Sequence, residues 1–446
     1  MKINTFTRWM TLLVSLFVLT PIAGAWASPI VVCSADLDRH LLPARQTQTA
    51  IIKVNLDAAT IDREFERPPV NLALVLDRSG SMTGDKIAKA REAAIQALRR
   101  LNHRDRFALV AYDHQVETIV PAQSAGNSEW IETRIRQIRP GGNTALFGAV
   151  SQGAAEVRKA MGSNMVHRVI LLSDGLANVG PSNPNDLGRL GAALLKEGIS
   201  VTTVGVGTDY NEDLMAQLAG RSDGNHYFVE ASRDLPRIFA AELGDVLNTV
   251  ARQVTIEIEC PKGVVPLRII GRDGRIFGNR IELRMNQLYG GQNKYALVEV
   301  EIPSSLARAE LQLANVRCSY DNAMTDLRVH SEFNILAQFS EDPDAVTRSV
   351  QPEVQRSVVA NEIAEARDKA LDLYNAGRKD EAVKELQQRQ AHIEQKSQAL
   401  GLPQLAAPAA ALADEAMEFE SDNLDSSRKK ELRSESYKVR KQQKDY

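Results

Sequence analysis

Only three of the 446 residues are cysteine (Cys33, Cys260 and Cys318), and no two of them form a C-x-x-C pair. The seven histidines are scattered, and His-Glu-x-x-His does not occur. These absences argue against a zinc centre, whether structural or proteolytic. The formal net charge is −3, so there is no basic excess of the kind that draws a protein to nucleic acid. Beyond the first residues, no apolar run approaches the roughly 20 residues that a membrane-spanning helix needs. Three thiols form at most one disulfide. Cys260–Cys318 is the expected pair, since both lie in the same predicted β region.

The composition that remains is that of an ordinary globular chain, 43% hydrophobic and 25% charged. The N-terminus is laid out as a secretory signal peptide. Lys2 and Arg8 precede an apolar run from Trp9 to Leu19, and Ala25-Trp26-Ala27 offers a small-x-small cleavage site. Residues 1–27 are therefore expected to be removed, leaving an exported protein, periplasmic or secreted, without a transmembrane segment. An oxidising compartment permits the disulfide.

Past residue 27 the pattern changes four times. Residues 28–67 hold strand-like sequence such as TAIIKVNL (Thr49–Leu56), closed by Arg67-Pro68-Pro69. From 68 to 250 strands alternate with helices. VNLALVL (Val70–Leu76) and HRVILLS (His167–Ser173) read as strands buried on both faces. Leu187, Leu190, Leu194 and Leu195 define a helix that Gly198 terminates. This alternation predicts a Rossmann-like α/β domain with a mostly parallel sheet. Residues 251–340 alternate apolar with polar positions, as in VTIEIEC and YALVEVEI, and predict an antiparallel β-sandwich that the strands of 28–67 would join. Residues 350–400 predict a helical hairpin. One copy similar to a tetratricopeptide-type pair is too little for an array, so the hairpin is expected to pack on the sandwich. Residues 401–446 read as an Ala/Pro-rich linker and a charged, solvated tail carrying Arg428, Lys429, Lys430 and Arg433.

Ligand sites of open α/β sheets lie at the carboxyl ends of the strands. Three loops there carry oxygen donors: Asp77, Ser79 and Ser81 after the first strand; Thr144 at the end of GGNT (Gly141–Thr144); and Asp174 before Gly175. Two carboxylates and three neutral hydroxyls suit a hard divalent cation, Mg²⁺ before Mn²⁺ or Ca²⁺. Hydroxyls bind without neutralising, so an acidic group from a partner can complete the shell. The competing reading is local: Ser79, Ser81 and Thr83 would cap one helix and Thr144 the next.

Asp77-x-Ser79-x-Ser81 with Thr144 and Asp174-Gly175 resembles the metal-ion-dependent adhesion site of von Willebrand factor type A domains. The resemblance covers about 70–250. It implies that the two serines bind the ion directly, that Thr144 and Asp174 bind it directly or through water, and that an acidic residue of a protein partner often completes the coordination. The wider layout resembles bacterial relatives of inter-α-trypsin-inhibitor heavy chains and of calcium-activated chloride channel proteins. The function so implied is an exported adhesion or envelope-assembly module, not an enzyme. The alternative is a scaffold whose sandwich and hairpin make the main contacts. An aspartate-dependent phosphatase is disfavoured, because the position two residues after Asp77, where an acid/base Asp is needed, is Ser79. Specificity is expected from a rim comprising Arg78, Met82, Asp113, Asn143, Asn178 and the rest of the 176–186 loop, with Tyr112 and His114 within reach.

Overall fold

The computed structural model describes residues 29–60, 67–162, 164–421 and 424–444. The proposed signal segment lies outside them. In chain order, β1 (Val31–Leu37), β2 (Leu41–Pro43) and β3 (Gln48–Ala58) come first. The α/β region follows as β4 (Val70–Asp77), α1 (Asp85–Arg99), β5 (Arg106–Tyr112), β6 (Val116–Ser124), α2 (Ser128–Arg136), α3 (Leu146–Arg158), β7 (Val166–Ser173), α4 (Pro184–Lys196), β8 (Ile199–Val206), α5 (Glu212–Arg221), β9 (His226–Val229) and α6 (Leu235–Leu247). Next come β10 (Thr249–Glu259), β11 (Val265–Ile270), β12 (Arg275–Phe277), β13 (Arg280–Tyr289), β14 (Asn293–Ile302), β15 (Glu310–Asn322) and β16 (Arg328–Ser340). The chain ends in α7 (Pro343–Arg348), α8 (Pro352–Asn375), α9 (Lys379–Leu400), α10 (Ala406–Glu420) and α11 (Ser426–Lys441).

The continuous apolar runs form the sheet centre because residues on both of their faces must be covered. Every residue of β4, β7 and β8 is buried. The strand order is β6-β5-β4-β7-β8-β9, parallel except for β6. One face of the sheet packs on Ile87, Ala90, Ala94 and Leu98 of α1 and on Phe239 and Leu243 of α6. The other packs on Val150 and Val157 of α3, Leu187 and Leu194 of α4 and Leu214 of α5. Gly198 adopts φ +76° just past α4, the left-handed stop expected of it.

The antiparallel region forms two facing sheets, ordered β1-β3-β14-β11 and β12-β13-β10-β15-β16-β2. The α/β region is thus inserted between β3 and β10, and both ends of the insertion enter the sandwich. Side chains of both sheets fill one core, including Ile52, Val54, Ile256, Leu283, Val298 and Val316. Val354 and Val358 of α8 pack on the outer side of the first sheet against Ile270 and Leu297. Arg168 of β7 is fully buried beneath the α/β sheet. It donates to Thr202 Oγ1 at 3.1 Å and to Gln287 and Tyr289 of β13, tying the α/β region to the sandwich.

Two expectations fail. The disulfide joins Cys33 to Cys318, leaving Cys260 free and buried. The strand register gives the reason. Cys318 sits opposite Ile256 on the neighbouring strand, four residues short of Cys260. At ~3.3 Å per residue that offset exceeds the ~7 Å a disulfide can bridge. Cys33, on the facing sheet, has its Cα 6.6 Å from that of Cys318.

The basic tail is the second failure: residues 401–446 are not a linker and solvated tail but largely α10 and α11. Lys430, Leu432, Arg433, Ser436 and Tyr437 of α11 are buried. Tyr437 Oη donates to Gly224 O at 2.7 Å. Arg433 lies 2.7 Å from Asp213, 2.8 Å from Asp368 and 2.6 Å from Asp372. The cations are matched by acids distant in sequence, and this matching docks the helix between α5 and α8. Among the described residues no helix is long and apolar enough to cross a membrane.

Candidate metal centre

The parallel register sets the site. Leu76 of β4 pairs with Leu172 of β7, so Asp77 and Ser173 end neighbouring strands at one level. Asp77 is completely buried. Its Oδ1 accepts the Ser79 backbone N–H at 2.8 Å and its Oδ2 accepts the Ser173 hydroxyl at 2.8 Å. These bonds lock the carboxylate at the bottom of the site. Burial raises its pKa to about 6 against the hydrogen bonds from Ser79 and Ser173, and the nearby Asp174 charge adds to the rise.

The chain after Asp77 does not behave as a helix cap. Gly80–Met82 form a single 3₁₀ turn, and α1 begins after Gly84, which has φ +81° and offers no side-chain cap. Neither does Thr144 cap α3, whose N-cap position is Ala145, again without a side-chain cap bond. The hydroxyls are instead turned toward one another. Ser79 Oγ and Ser81 Oγ lie 3.0 Å apart, and Ser81 Oγ donates to Asp174 Oδ1 at 2.6 Å. A Cβ placed on Gly175 would stand 3.4 Å from Ser81 Oγ, 3.4 Å from Thr144 Oγ1 and 4.0 Å from Ser79 Oγ. All three hydroxyls from the two loops thus surround one point beside Gly175.

Backbone bonds hold the loops in place. Gly80 N–H donates to Gly142 O at 3.0 Å, Gly141 N–H to Arg78 O at 2.7 Å and Ala145 N–H to Asp113 O at 2.8 Å. Gly142 has φ +79°, and a Cβ there would reach 2.2 Å from His114 Nδ1, so glycine is required. Asn178 Oδ1 accepts the Thr144 N–H at 2.8 Å, while Thr144 O accepts from Asn178 and Val179.

The five predicted ligands, Asp77, Ser79, Ser81, Thr144 and Asp174, therefore converge. The predicted rim divides. Met82 is buried in the core because the 3₁₀ turn points it inward, and Asp113 is buried beneath Arg78. Arg78 is held by Asp113 and Glu117, at 3.0 and 2.7 Å, and acts as a loop strut. Asn143, Asn178, Leu176 and His114 are exposed around the opening, whereas Tyr112 is buried with its hydroxyl on Leu172 O. Sequence reading missed Ser173 and Lys86. Ser173 is visible only once the β4–β7 register is known, and Lys86 only once α1 is seen to begin beside Asp174.

Hydroxyl and carboxylate oxygens meet at this point, and among the described residues no three His, Cys, Asp or Glu side chains gather as a metal cluster. Two buried carboxylates lie close enough for Asp174 to raise the Asp77 pKa. A hard dication such as Mg²⁺ fits this donor set, since it takes oxygen ligands and relieves the repulsion between the two acids.

The von Willebrand factor type A domain family matches residues 71–241. The protein sll0103 of Synechocystis sp. is 26% identical over 310 residues, which span 67% of this chain and 71% of that one. YfbK of Escherichia coli is 27% identical over 232 residues, 51% of this chain and 40% of YfbK. Inter-alpha-trypsin inhibitor heavy chain H2 of Sus scrofa is 27% identical over 192 residues, and the matched part is 20% of that protein. The chain thus spans less than half of the latter two. Among solved structures, a von Willebrand factor type A protein from Catenulispora acidiphila has TM-score 0.67 at 18% identity, covering 84% of this chain and 89% of its own. The ArnB paralog VWA2 from Sulfolobus acidocaldarius has TM-score 0.63 at 16% identity, covering 92% and 98%. At these identities the two structures speak for the fold. Residues 71–241 are a von Willebrand factor type A domain, and the chain that carries it is a distant relative of sll0103, YfbK and the inter-alpha-trypsin inhibitor heavy chains.

Proposed function

We propose that the chain is an exported, metal-ion-dependent protein-binding module that grips an acidic side chain of a partner and has no catalytic role. Type A domains are modules that often bind proteins through a divalent cation. One observation carries the reading here: three hydroxyls meet beside Gly175 above two buried carboxylates, and neither loop uses them to cap a helix. Asp77 and Asp174 supply the charge, Ser79, Ser81 and Thr144 supply neutral oxygens, and the exposed rim of Leu176, Asn143 and Asn178 meets the partner. A bound Mg²⁺ would contribute an electrophilic position open to a carboxylate. The partner acid completes the shell because Mg²⁺ seeks six oxygen ligands and neutral hydroxyls leave room for an anionic one.

The test is capture of partners from envelope extract by the full chain. Capture that Mg²⁺ supports, EDTA abolishes and Asp77→Ala lacks, with the fold of the variant intact by circular dichroism, is the expected result. Capture indifferent to chelator and to Asp77→Ala sinks the metal reading. It would favour instead a scaffold working through the sandwich, whose strands β11 and β12 expose Val265, Leu267, Ile276 and Phe277.

A further inference from the structure

Lys86 stands in the first turn of α1 and is 29% exposed, while Asp174 opposite it is completely buried. The first turn is the positive end of the helix dipole, an unfavourable place for an ammonium. A specific partner holds it there: Lys86 Nζ donates to Asp174 Oδ2 at 2.6 Å. The other oxygen, Oδ1, faces the hydroxyls and accepts from Ser81 at 2.6 Å. The two oxygens of one carboxylate thus serve opposite sides, one the cluster and one the ammonium. Gly207, in the turn after β8, borders this corner; a Cβ there would lie 3.8 Å from Lys86 Nζ.

We propose that Lys86 is a resident counter-ion of the site, staying on the outer oxygen of Asp174 while a divalent cation occupies the hydroxyl side. This rests on the metal-dependent reading above and deepens it. The ammonium weakens cation binding by taking part of the Asp174 charge. It also sets the charge of the loaded site. Two carboxylates cancel a dication, and Lys86 then leaves one net positive charge, which matches one incoming carboxylate. Lys86 is a positioning and charge-setting residue, not a metal ligand.

Calorimetric titration of Mg²⁺ into the full chain tests this with Lys86→Met and Lys86→Arg beside wild type. Removing one charge a few ångströms away is worth about a tenfold change in affinity in a partly solvated site. Lys86→Met is therefore expected to bind Mg²⁺ more tightly, and Lys86→Arg to stay close to wild type. A merely structural role would weaken binding instead. Acetate titrated into the Mn²⁺-loaded protein, followed by water-proton relaxation, is expected to bind Lys86→Met several-fold more weakly than wild type. A third measurement needs no variant. Amine-reactive labelling mapped by mass spectrometry should find Lys86 protected both in EDTA and in saturating Mg²⁺. Unchanged or weaker Mg²⁺ affinity in Lys86→Met, or labelling of Lys86 once Mg²⁺ is added, overturns the proposal and leaves the metal-dependent reading standing. Wild type that binds no Mg²⁺ overturns both.

Discussion

Asp77 holds the site's charge in a place water does not reach. Burial raises its pKa to about 6, so the metal-free fold favours the protonated acid more than the unfolded chain does. That contribution to stability is present at pH below the ordinary carboxylate value and is lost as pH rises through about 6. A cation needs the opposite, an ionised Asp77. Mg²⁺ binding must displace the proton below about pH 6, each unit costing about tenfold in affinity. Because a ligand stabilises the fold by mass action, the rise in melting temperature given by a fixed Mg²⁺ concentration is expected to be full at pH 8 and to shrink steeply at pH 5. Differential scanning fluorimetry across that range checks it. A rise independent of pH would place the ion elsewhere. Asp77→Asn should abolish the rise at every pH.

At the scale of elements, the site was legible because the strands that carry it are continuous apolar runs. VNLALVL and HRVILLS are each followed by an acid, Asp77 and Asp174, at the carboxyl ends of strands where ligands collect, and β4 and β7 are indeed neighbours. The details that escaped depend on turns and register. Met82 follows a serine in a polar loop, yet one 3₁₀ turn buries it. The burial of α11 was hidden for another reason. Its buried face includes Lys430 and Arg433, which read as solvent-facing until Glu212, Asp213 and Asp368 are found against them. Arg433 touches α5 of the type A domain and α8 of the helical region together. Arg433→Met would remove the ion pairs to half-buried Asp213 and Asp368, and hydrogen bonds to charged groups are typically worth about 1.5–3 kcal/mol each. A large drop in the urea midpoint is the expected outcome. A midpoint within error of wild type would mean that α11 contributes little to the fold.

At the scale of the whole molecule, the type A domain is presented by a sandwich built from chain on both of its sides, and the disulfide staples that sandwich across its two sheets. Cys33 and Cys318 are 285 residues apart, so the bond closes a very long loop of the unfolded chain. Such a constraint stabilises by up to about 5 kcal/mol in the chain-entropy view. The correct pairing could not be read from spacing, because it depends on which strands face each other across the core. Reduction should lower the melting temperature while leaving the Mg²⁺-induced rise unchanged, since neither cysteine lies near Asp77 in the fold. Loss of the Mg²⁺ response on reduction would show that the sandwich sets the geometry of the metal loops.

The most direct measurement is crystallographic: crystals grown with Mn²⁺, and an anomalous difference map at the manganese edge. The expected peak lies beside Gly175, with Ser79 Oγ and Ser81 Oγ as direct ligands, Thr144, Asp77 and Asp174 bound directly or through water, and Lys86 still on the outer oxygen of Asp174. A map with no peak there at saturating Mn²⁺, or with its peak at another cluster, would contradict the metal-dependent reading at its root.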